Sequence, residues 1–151
     1  MSHIVVHPRI LMVDNDKRAI EALTALLSKA LPNAYVADDV TDGTKALSLC
    51  RAYGNQYDII LLDMSLEGLQ GPDICKRIRL INNSTPILAM TSFSLNRYRN
   101  SAIESGAQGL VDKSSSEQFT QCIPRIVRGQ TMDGFGTPLV AHIQLKNRSA
   151  L

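Results

Sequence analysis

Short apolar stretches alternate along the chain with longer stretches in which apolar residues recur at helical spacing. The first stretch, Arg9–Val13, is rich in strand-forming residues, and the residues after it bring an apolar set onto one helical face. That set consists of Ile20, Leu23, Leu27 and Ala30. Four more apolar stretches predict strands, at Ala34–Asp38, Tyr57–Asp63, Pro86–Thr91 and Gly109–Val111. Each is followed by a stretch of helical character, so the pattern predicts five strand–helix units.

The four later helices are predicted from spacing and from helix-start and helix-stop residues. They cover Asp42–Tyr53, Pro72–Leu80 and Asn96–Ser105, and the last begins at Ser116 and stops at Gly129. Pro72 suits a first helical turn, and Gly129 suits the end of the last helix. The predicted buried faces of the second and last of the five helices comprise Ala46, Leu49, Cys50, Tyr53, Phe119, Ile123, Ile126 and Val127.

Five strand–helix units predict a parallel sheet covered on both faces. Each parallel connection needs a crossover, and the strands are continuous apolar runs rather than alternating ones. The expected fold is a doubly wound α/β domain with five helices and a five-stranded parallel sheet of order 2-1-3-4-5. We place this domain at residues 9–129. Residues 130–151 contain glycines, a proline and no sustained periodicity, so we expect a linker or C-terminal tail.

The composition limits which classes of binding partner and which cellular compartment are expected. The net charge is +2 and 20% of the residues are charged, which gives no strong field toward nucleic acid or an anionic membrane. The three cysteines, Cys50, Cys75 and Cys122, lack the paired spacing of a zinc site and fit reduced thiols. The longest apolar run, Ile59–Leu62, is far too short to span a bilayer. We therefore expect a soluble, cytoplasmic protein.

Polar residues stand at the ends of four predicted strands, and they are Asp14, Asp63, Thr91 and Lys113. In open α/β sheets the ligand site lies outside the carboxyl ends of the strands. Two carboxylates there repel each other unless a cation lies between them, and their hard oxygens favour Mg²⁺. A hydroxyl and an ammonium group facing the same point suit the oxygens of a phosphoryl group, which a carboxylate such as that of Asp63 can receive.

Four sequence motifs around these residues resemble those of the receiver domains of two-component response regulators. They are "ILMVDND", "DIILLDMSLEGLQG", "PILAMTS" and "GAQGLVDK", and they occur in the family's order with similar spacing. The resemblance covers Arg9 to Gly129 and implies a flavodoxin-like fold. It also implies that a sensor histidine kinase phosphorylates Asp63 in the presence of Mg²⁺. Such a protein is a signalling switch, often a homodimer, and its only catalysis is of its own phosphorylation and dephosphorylation.

The resemblance also implies roles for the individual site residues. Asp14 would hold Mg²⁺ partly through water, and Asp63 and the backbone carbonyl of Ser65 would complete its protein ligands. Thr91 would hydrogen-bond the phosphoryl group, and Lys113 would pair with it.

Asn15 stands where the family usually has a second acid, so we expect it to be a poorer metal ligand and magnesium binding to be weaker. Asp16, the next residue, is expected to cap the following helix instead of replacing the missing acid.

The stretch "GLVDKSSSEQFTQCIPRIVRG" resembles receivers that are joined to a C-terminal helix-turn-helix output domain. This resemblance implies a role in regulating transcription. It implies contact with DNA only through such an output domain, because nothing in these 151 residues resembles a recognition helix. Leu110 stands where many receivers have the aromatic residue that rotates on activation, which puts signal transfer by ring rotation in doubt.

Three alternatives remain open at the level of sequence. The first is an atypical receiver-like module that switches through protein contacts without phosphorylation. The second, a flavin carrier, is disfavoured because the loop "DND" after the first strand would repel a phosphate. The third, a phosphatase with Asp63 as nucleophile, is disfavoured because Ser65 stands where a second catalytic acid would be expected.

Overall fold

The computed structural model describes residues 7–66 and 70–149, and its centre is a five-stranded parallel sheet. The strands lie in the order β2-β1-β3-β4-β5, as predicted. Their bounds are β1 Arg9–Val13, β2 Tyr35–Val40, β3 Ile59–Asp63, β4 Ile87–Thr91 and β5 Gly109–Asp112. The carboxyl ends of β1, β3, β4 and β5 therefore lie along one edge of the sheet.

Within the described residues, six α-helices surround the sheet. Their bounds are α1 Lys17–Ala30, α2 Gly43–Tyr53, α3 Gly71–Ile81, α4 Leu95–Ser105, α5 Ser116–Val127 and α6 Pro138–Ser149. Asp16, Asp42 and Ser115 cap α1, α2 and α5, because each side chain accepts a hydrogen bond from a backbone N–H of the first helical turn. Gly106 caps the C-terminus of α4, and its φ of 100° is readily adopted by glycine.

Alternate residues of the buried strands supply two cores, one on each face of the sheet. On one face Ile10, Ile59 and Leu61 pack with the apolar faces of α1 and α5. On the other face Leu11 and Ile60 belong to a cluster that includes buried residues of α2, α3 and α4. Both faces are covered, as the continuous apolar strands predict.

The predicted helix faces were wrong at two positions. Ala30 and Tyr53 were expected to be buried, but both are exposed, whereas Leu47 is buried in α2. Each exposed residue is the last of its helix. Helical spacing assigns a residue to a face, but it does not tell how far the neighbouring layer extends along the helix.

Helix α6 lies in the region where no regular structure was expected. It packs against α3 and α4. Its buried residues are Ala141 and Leu145, one on each of two successive turns, while Leu139, Val140 and Ile143 are exposed. Apolar residues therefore occur on both sides of the helix, and no single apolar stripe marks it in the sequence. Residues 150 and 151 of the expected tail lie outside the described residues.

The composition predicted reduced cysteines and no membrane-spanning segment. Cys50 and Cys75 are buried and Cys122 is partly buried, and all three are free thiols. Within residues 7–66 and 70–149, each helix is too short or too polar to cross a lipid bilayer.

Gly71 brings the start of α3 into direct contact with the end of β3. A Cβ atom at this position would lie 2.5 Å from the Cα of Met64 and closer still to the carbonyl oxygen of Asp63. These neighbours are backbone atoms, which cannot rotate away as a side chain can. The glycine therefore allows the helix to press against the strand end that carries Asp63.

We expect the substitution Gly71→Ala to destabilise the protein by about 1–3 kcal/mol, because the added methyl group overpacks this contact. Urea unfolding of the variant and the wild type measures the difference. The matched control is Gly136→Ala, whose Cβ would meet only the Cγ1 of Val140, at 3.8 Å. Equal stability losses in the two variants would show that the contact with β3 is not the cause.

Candidate functional site

The polar residues predicted at the strand ends lie along the carboxyl edge of the sheet. Asp14 directly follows β1, Asp63 is the last residue of β3, and Thr91 is the last residue of β4. Lys113 directly follows β5. Asp14 and Thr91 are 0% exposed and Asp63 is 1% exposed, so these side chains lie at the base of the edge and not on its surface.

The ammonium group of Lys113 joins the two carboxylates. Its Nζ lies 2.5 Å from Oδ2 of Asp14 and 3.4 Å from Oδ2 of Asp63. The lysine side chain is 13% exposed, and water therefore screens the pair less than it would at an open surface. The structure thus brings three of the four strand-end side chains within reach of one another, although they are far apart in sequence.

The two oxygens of Asp63 have different environments. Oδ1 accepts hydrogen bonds from the N–H and the hydroxyl group of Ser65, at 3.0 and 2.9 Å. Oδ2 has the longer contact with Lys113. The Ser65 bonds fix the orientation of the carboxylate and leave Oδ2 as the less constrained oxygen. Sequence reasoning missed the serine hydroxyl, although a serine two residues after an aspartate is a common turn partner.

Asp14 is held in a similar way at the end of β1. Its Oδ1 accepts a hydrogen bond from the N–H of Asp16, at 2.9 Å, and its Oδ2 faces Lys113. The carboxylate of Asp16 accepts from the N–H of Arg18, so it caps α1, as expected. Asn15, between the two acids, is exposed.

Thr91 shares the edge and is linked to both neighbouring segments. Its Oγ1 accepts a hydrogen bond from the N–H of Phe93, at 3.0 Å, which leaves the hydroxyl hydrogen available for a further acceptor. Its carbonyl oxygen accepts from the N–H of Lys113, at 2.9 Å. Thr91 is therefore connected to the loop before α4 on one side and to the residue after β5 on the other.

Burial and pairing shift the pKa values of the central ion pair. Burial raises the pKa of Asp14, and the nearby charge of Asp63 raises it further, against the opposing effect of Lys113. Burial alone would lower the pKa of Lys113, but its hydrogen bond to Asp14 and the two carboxylate charges outweigh this effect and raise it. Lys113 is therefore charged at neutral pH.

The donor atoms at this edge fit a magnesium ion. Asp14 and Asp63 offer carboxylate oxygens, and Ser65 and Asn15 can add a carbonyl and an amide oxygen, so the set is made of hard donors. Oδ2 of Asp14 is buried with no hydrogen bond beyond its ion pair with Lys113. The part of the chain that the structure describes has no group of three or more His, Cys, Asp or Glu side chains suited to a metal. The donors thus fit Mg²⁺, and two of them are carboxylates, those of Asp14 and Asp63.

Comparison with known sequences points to one family. The family profile of the response regulator receiver domain matches residues 10–123. The chain is 33% identical to the regulatory protein VanRB of Enterococcus faecalis over 105 residues, which are 70% of this chain and 45% of that protein. It is 30% identical to the transcriptional regulatory protein CusR of Escherichia coli over 118 residues, which are 78% of this chain and 49% of CusR. The chain thus spans less than half the length of these curated relatives.

Comparison with solved structures gives the same fold. A two-component response regulator of the LuxR family from Aurantimonas sp. SI85-9A1 superposes with a TM-score of 0.76 at 26% identity, covering 94% of this chain and 99% of that one. The chemotaxis protein CheY4 of Vibrio cholerae superposes with a TM-score of 0.68 at 22% identity, covering 80% and 98%. The second likeness is one of fold alone.

We expect the substitution Asp14→Asn to raise the melting temperature at pH 7. An acid whose pKa is raised by folding is less stable in its charged form in the folded chain than in the unfolded one. The amide keeps an oxygen for the N–H of Asp16 and removes this cost, and each kcal/mol corresponds to about 2–4 °C in a chain of this size.

The gain should disappear below the ordinary aspartate pKa of 3.8, where the wild-type carboxyl group is protonated in both states. Thermal unfolding followed by circular dichroism between pH 3 and pH 7 measures this, with Asp39→Asn, at an exposed position of β2, as the control. A lower melting temperature for Asp14→Asn at pH 7 would mean that the ion pair with Lys113 contributes more than burial costs.

Proposed function

The chain belongs to the family of response regulator receiver domains, and from this we propose that Asp63 accepts a phosphoryl group from the phosphohistidine of a sensor histidine kinase. The observation that carries the proposal is the arrangement of Asp63 at the carboxyl edge. Ser65 orients its carboxylate through Oδ1, and Oδ2 faces the ammonium group of Lys113 at 3.4 Å. A carboxylate with one oriented oxygen and one less constrained oxygen suits attack on phosphorus.

In the proposed transfer, Oδ2 of Asp63 forms a bond to phosphorus while the phosphorus–nitrogen bond of the donor histidine breaks. The imidazole leaves with the electron pair of that bond and takes up a proton. Lys113 can neutralise charge on the phosphoryl oxygens, and the free hydroxyl hydrogen of Thr91 can donate to one of them. Asp14, Asn15, Asp63 and the carbonyl of Ser65 would hold Mg²⁺, which when bound supplies further neutralisation of the phosphoryl charge.

Phosphorylation would change the contacts of the segments that follow the site. The new group adds negative charge and acceptor oxygens at Asp63, which attract Lys113 and Thr91. Lys113 follows β5, and Thr91 precedes α4, so we expect the surface of α4, β5 and α5 to shift. This surface, or that of α1 and α5, would contact a second copy of the chain or an output domain.

Regulation of transcription is the output that the relatives favour. CusR is named as a transcriptional regulatory protein, and this chain matches about half of it. DNA contact would then belong to an output domain outside these 151 residues. The receiver would control that domain through its phosphorylation state.

A second candidate function is a receiver-like module that switches through protein contacts without phosphorylation. Asn15 favours this candidate, because an exposed amide stands where the family usually has an acid, and Asp16 is occupied as the cap of α1. Leu110, which is buried in β5, stands in place of the aromatic residue that rotates in many receivers.

Intact mass after incubation with acetyl phosphate and Mg²⁺ separates the two candidates. We expect the wild type to gain one phosphoryl group that is labile at alkaline pH, and Asp63→Ala to gain none. Asp39→Asn, which changes an exposed carboxylate of β2, should be phosphorylated like the wild type. Failure of the wild type to gain the group, or an equal gain in Asp63→Ala, would remove the phosphorylation switch.

The substitution Asn15→Asp tests the weak-metal expectation. A third acid next to the two buried ones should tighten Mg²⁺ binding by about tenfold, or about 1.4 kcal/mol, because the metal then faces one more negative charge. Isothermal titration calorimetry measures the affinity. Asn100→Asp, at an exposed position of α4, adds the same charge away from the site and should leave the affinity unchanged. Equal affinities of Asn15→Asp and the wild type would show that position 15 does not limit metal binding.

A further inference from the structure

Residues 130–149, which we call the C-terminal strap, bind the edge of the sheet that ends in β5. The N–H of Met132 donates a hydrogen bond to the carbonyl oxygen of Gln108, at 3.0 Å, and the N–H of Leu110 points at the sulfur of Met132, at 3.3 Å. A Cβ on Gly109 would lie only 2.7 Å from that sulfur. The strap therefore covers the first half of β5, a four-residue edge strand, at backbone distance.

The strap also binds α4. The guanidinium group of Arg99 donates a hydrogen bond to the carbonyl oxygen of Asp133, at 2.7 Å, and lies 5.7 Å from the centre of the Phe135 ring. Phe135 is 8% exposed and belongs to the core cluster on this face of the sheet. The ring thus fills part of the core, and Arg99 covers it from α4.

The buried amide of Gln108 connects the strap to the rest of the sheet. Its Oε1 accepts from Nη2 of Arg79 at 3.0 Å and from the N–H of Ile87 at 2.8 Å. Its Nε2 donates to the carbonyl oxygens of Gly106 at 2.8 Å and of Gly136 at 3.0 Å. Both lone pairs and both hydrogens of the amide are used, so this side chain links the strap to α3 and to the start of β4.

Helix α6 completes the attachment of the strap. Nδ1 of His142 lies 2.7 Å from the carbonyl oxygen of Arg79, near the end of α3, and is placed to donate to it. Ala141 is buried, and its Cβ would lie 3.3 Å from a Cβ added to Gly106. The strap is therefore held by polar and apolar contacts over most of its length.

The elements that the strap binds, α4 and β5, adjoin the residues proposed to bind the phosphoryl group. Lys113 follows β5, Thr91 precedes α4, and the two residues are joined by the backbone hydrogen bond between the N–H of Lys113 and the carbonyl of Thr91. The strap binds β5 at its other end and α4 at Arg99. Because β5 has four residues, Lys113 lies only three residues after Leu110, whose N–H faces the sulfur of Met132.

We infer that the C-terminal strap is an intramolecular inhibitory contact that holds α4 and β5 in the present arrangement and detaches when Asp63 is phosphorylated. This inference rests on the proposed phosphorylation of Asp63. Coupling between two sites is reciprocal, so a strap that phosphorylation weakens must itself oppose phosphoryl binding by the same factor. The surface of α4 and β5 that the strap covers becomes available to a partner only in the phosphorylated chain.

Hydrogen–deuterium exchange on the whole 151-residue chain tests the release, with beryllofluoride and Mg²⁺ as the phosphoryl probe. We expect the backbone amides of α6 and the amide of Met132 to exchange about tenfold faster with the probe, as expected for loss of a local contact. The amides of α1 should not change. Asp63→Ala, treated in the same way, should show no acceleration.

Two other results have different meanings. If the exchange of α4 and β5 changes while α6 keeps its protection, the inference is wrong and the proposed function stands. If the wild type neither binds the probe nor gains a phosphoryl group from acetyl phosphate, both are wrong.

A pair of substitutions tests the reciprocal effect. Phe135→Ala removes the buried ring of the strap, and Leu139→Ala removes a side chain from the exposed side of α6. We expect Phe135→Ala to bind beryllofluoride about fivefold or more tightly than the wild type, and Leu139→Ala to bind like the wild type. Unchanged or weaker binding in Phe135→Ala, with α6 released, would overturn the inference.

If Phe135→Ala does not fold, Arg99→Ala replaces it. This change removes the hydrogen bond to Asp133 and the cation over the ring from the exposed surface of α4. The same increase in affinity is expected, and its absence counts against the strap in the same way.

Discussion

Two carboxylates are buried next to each other at one edge of the sheet, and a single ammonium group makes this arrangement tolerable. Asp14 and Asp63 repel each other and lose hydration, so Lys113 must lie between them in the folded chain. The sheet order places β1 beside β3, which fixes the two acids as neighbours. The lysine comes from the edge strand β5, and its position therefore depends on how β4 and β5 pack.

Asn15 directly follows Asp14, so the charge at position 15 affects the same electrostatic balance. A third carboxylate at the same edge would add to the repulsion that Lys113 already has to balance. Asp16 cannot take the place of that acid, because its N–H binds Asp14 and its carboxylate caps α1. The chain therefore combines a lower electrostatic cost with a poorer set of metal donors, which is a familiar compromise between stability and function.

The sequence predicted the fold well because its strongest signals are those of a parallel sheet. Continuous apolar runs such as Ile59–Asp63 clearly indicate buried strands, and amphipathic stretches such as α5 clearly indicate helices. The handedness of crossover connections between parallel strands then restricts the possible topologies. The strand order in turn predicted that the polar residues at the strand ends lie along one edge of the sheet. Helix α6 was not predicted, because its docking depends on partners such as Arg79, which lies far away in sequence. The hydroxyl of Ser65 was missed because only the backbone carbonyl of that residue was considered.

The close fit of Gly71 against the end of β3 makes the two sides of the carboxyl edge differ in rigidity. On the side of α3, backbone meets backbone, so β3 and α3 cannot slide past each other without overlap. On the opposite side, α4 begins four residues after Thr91, and the C-terminal strap holds α4 and β5 through side chains such as Arg99 and Met132, which can rotate. Asp63 is thus fixed on the side of α3. A structural change at this aspartate would therefore displace α4 and β5 and leave α3 in place.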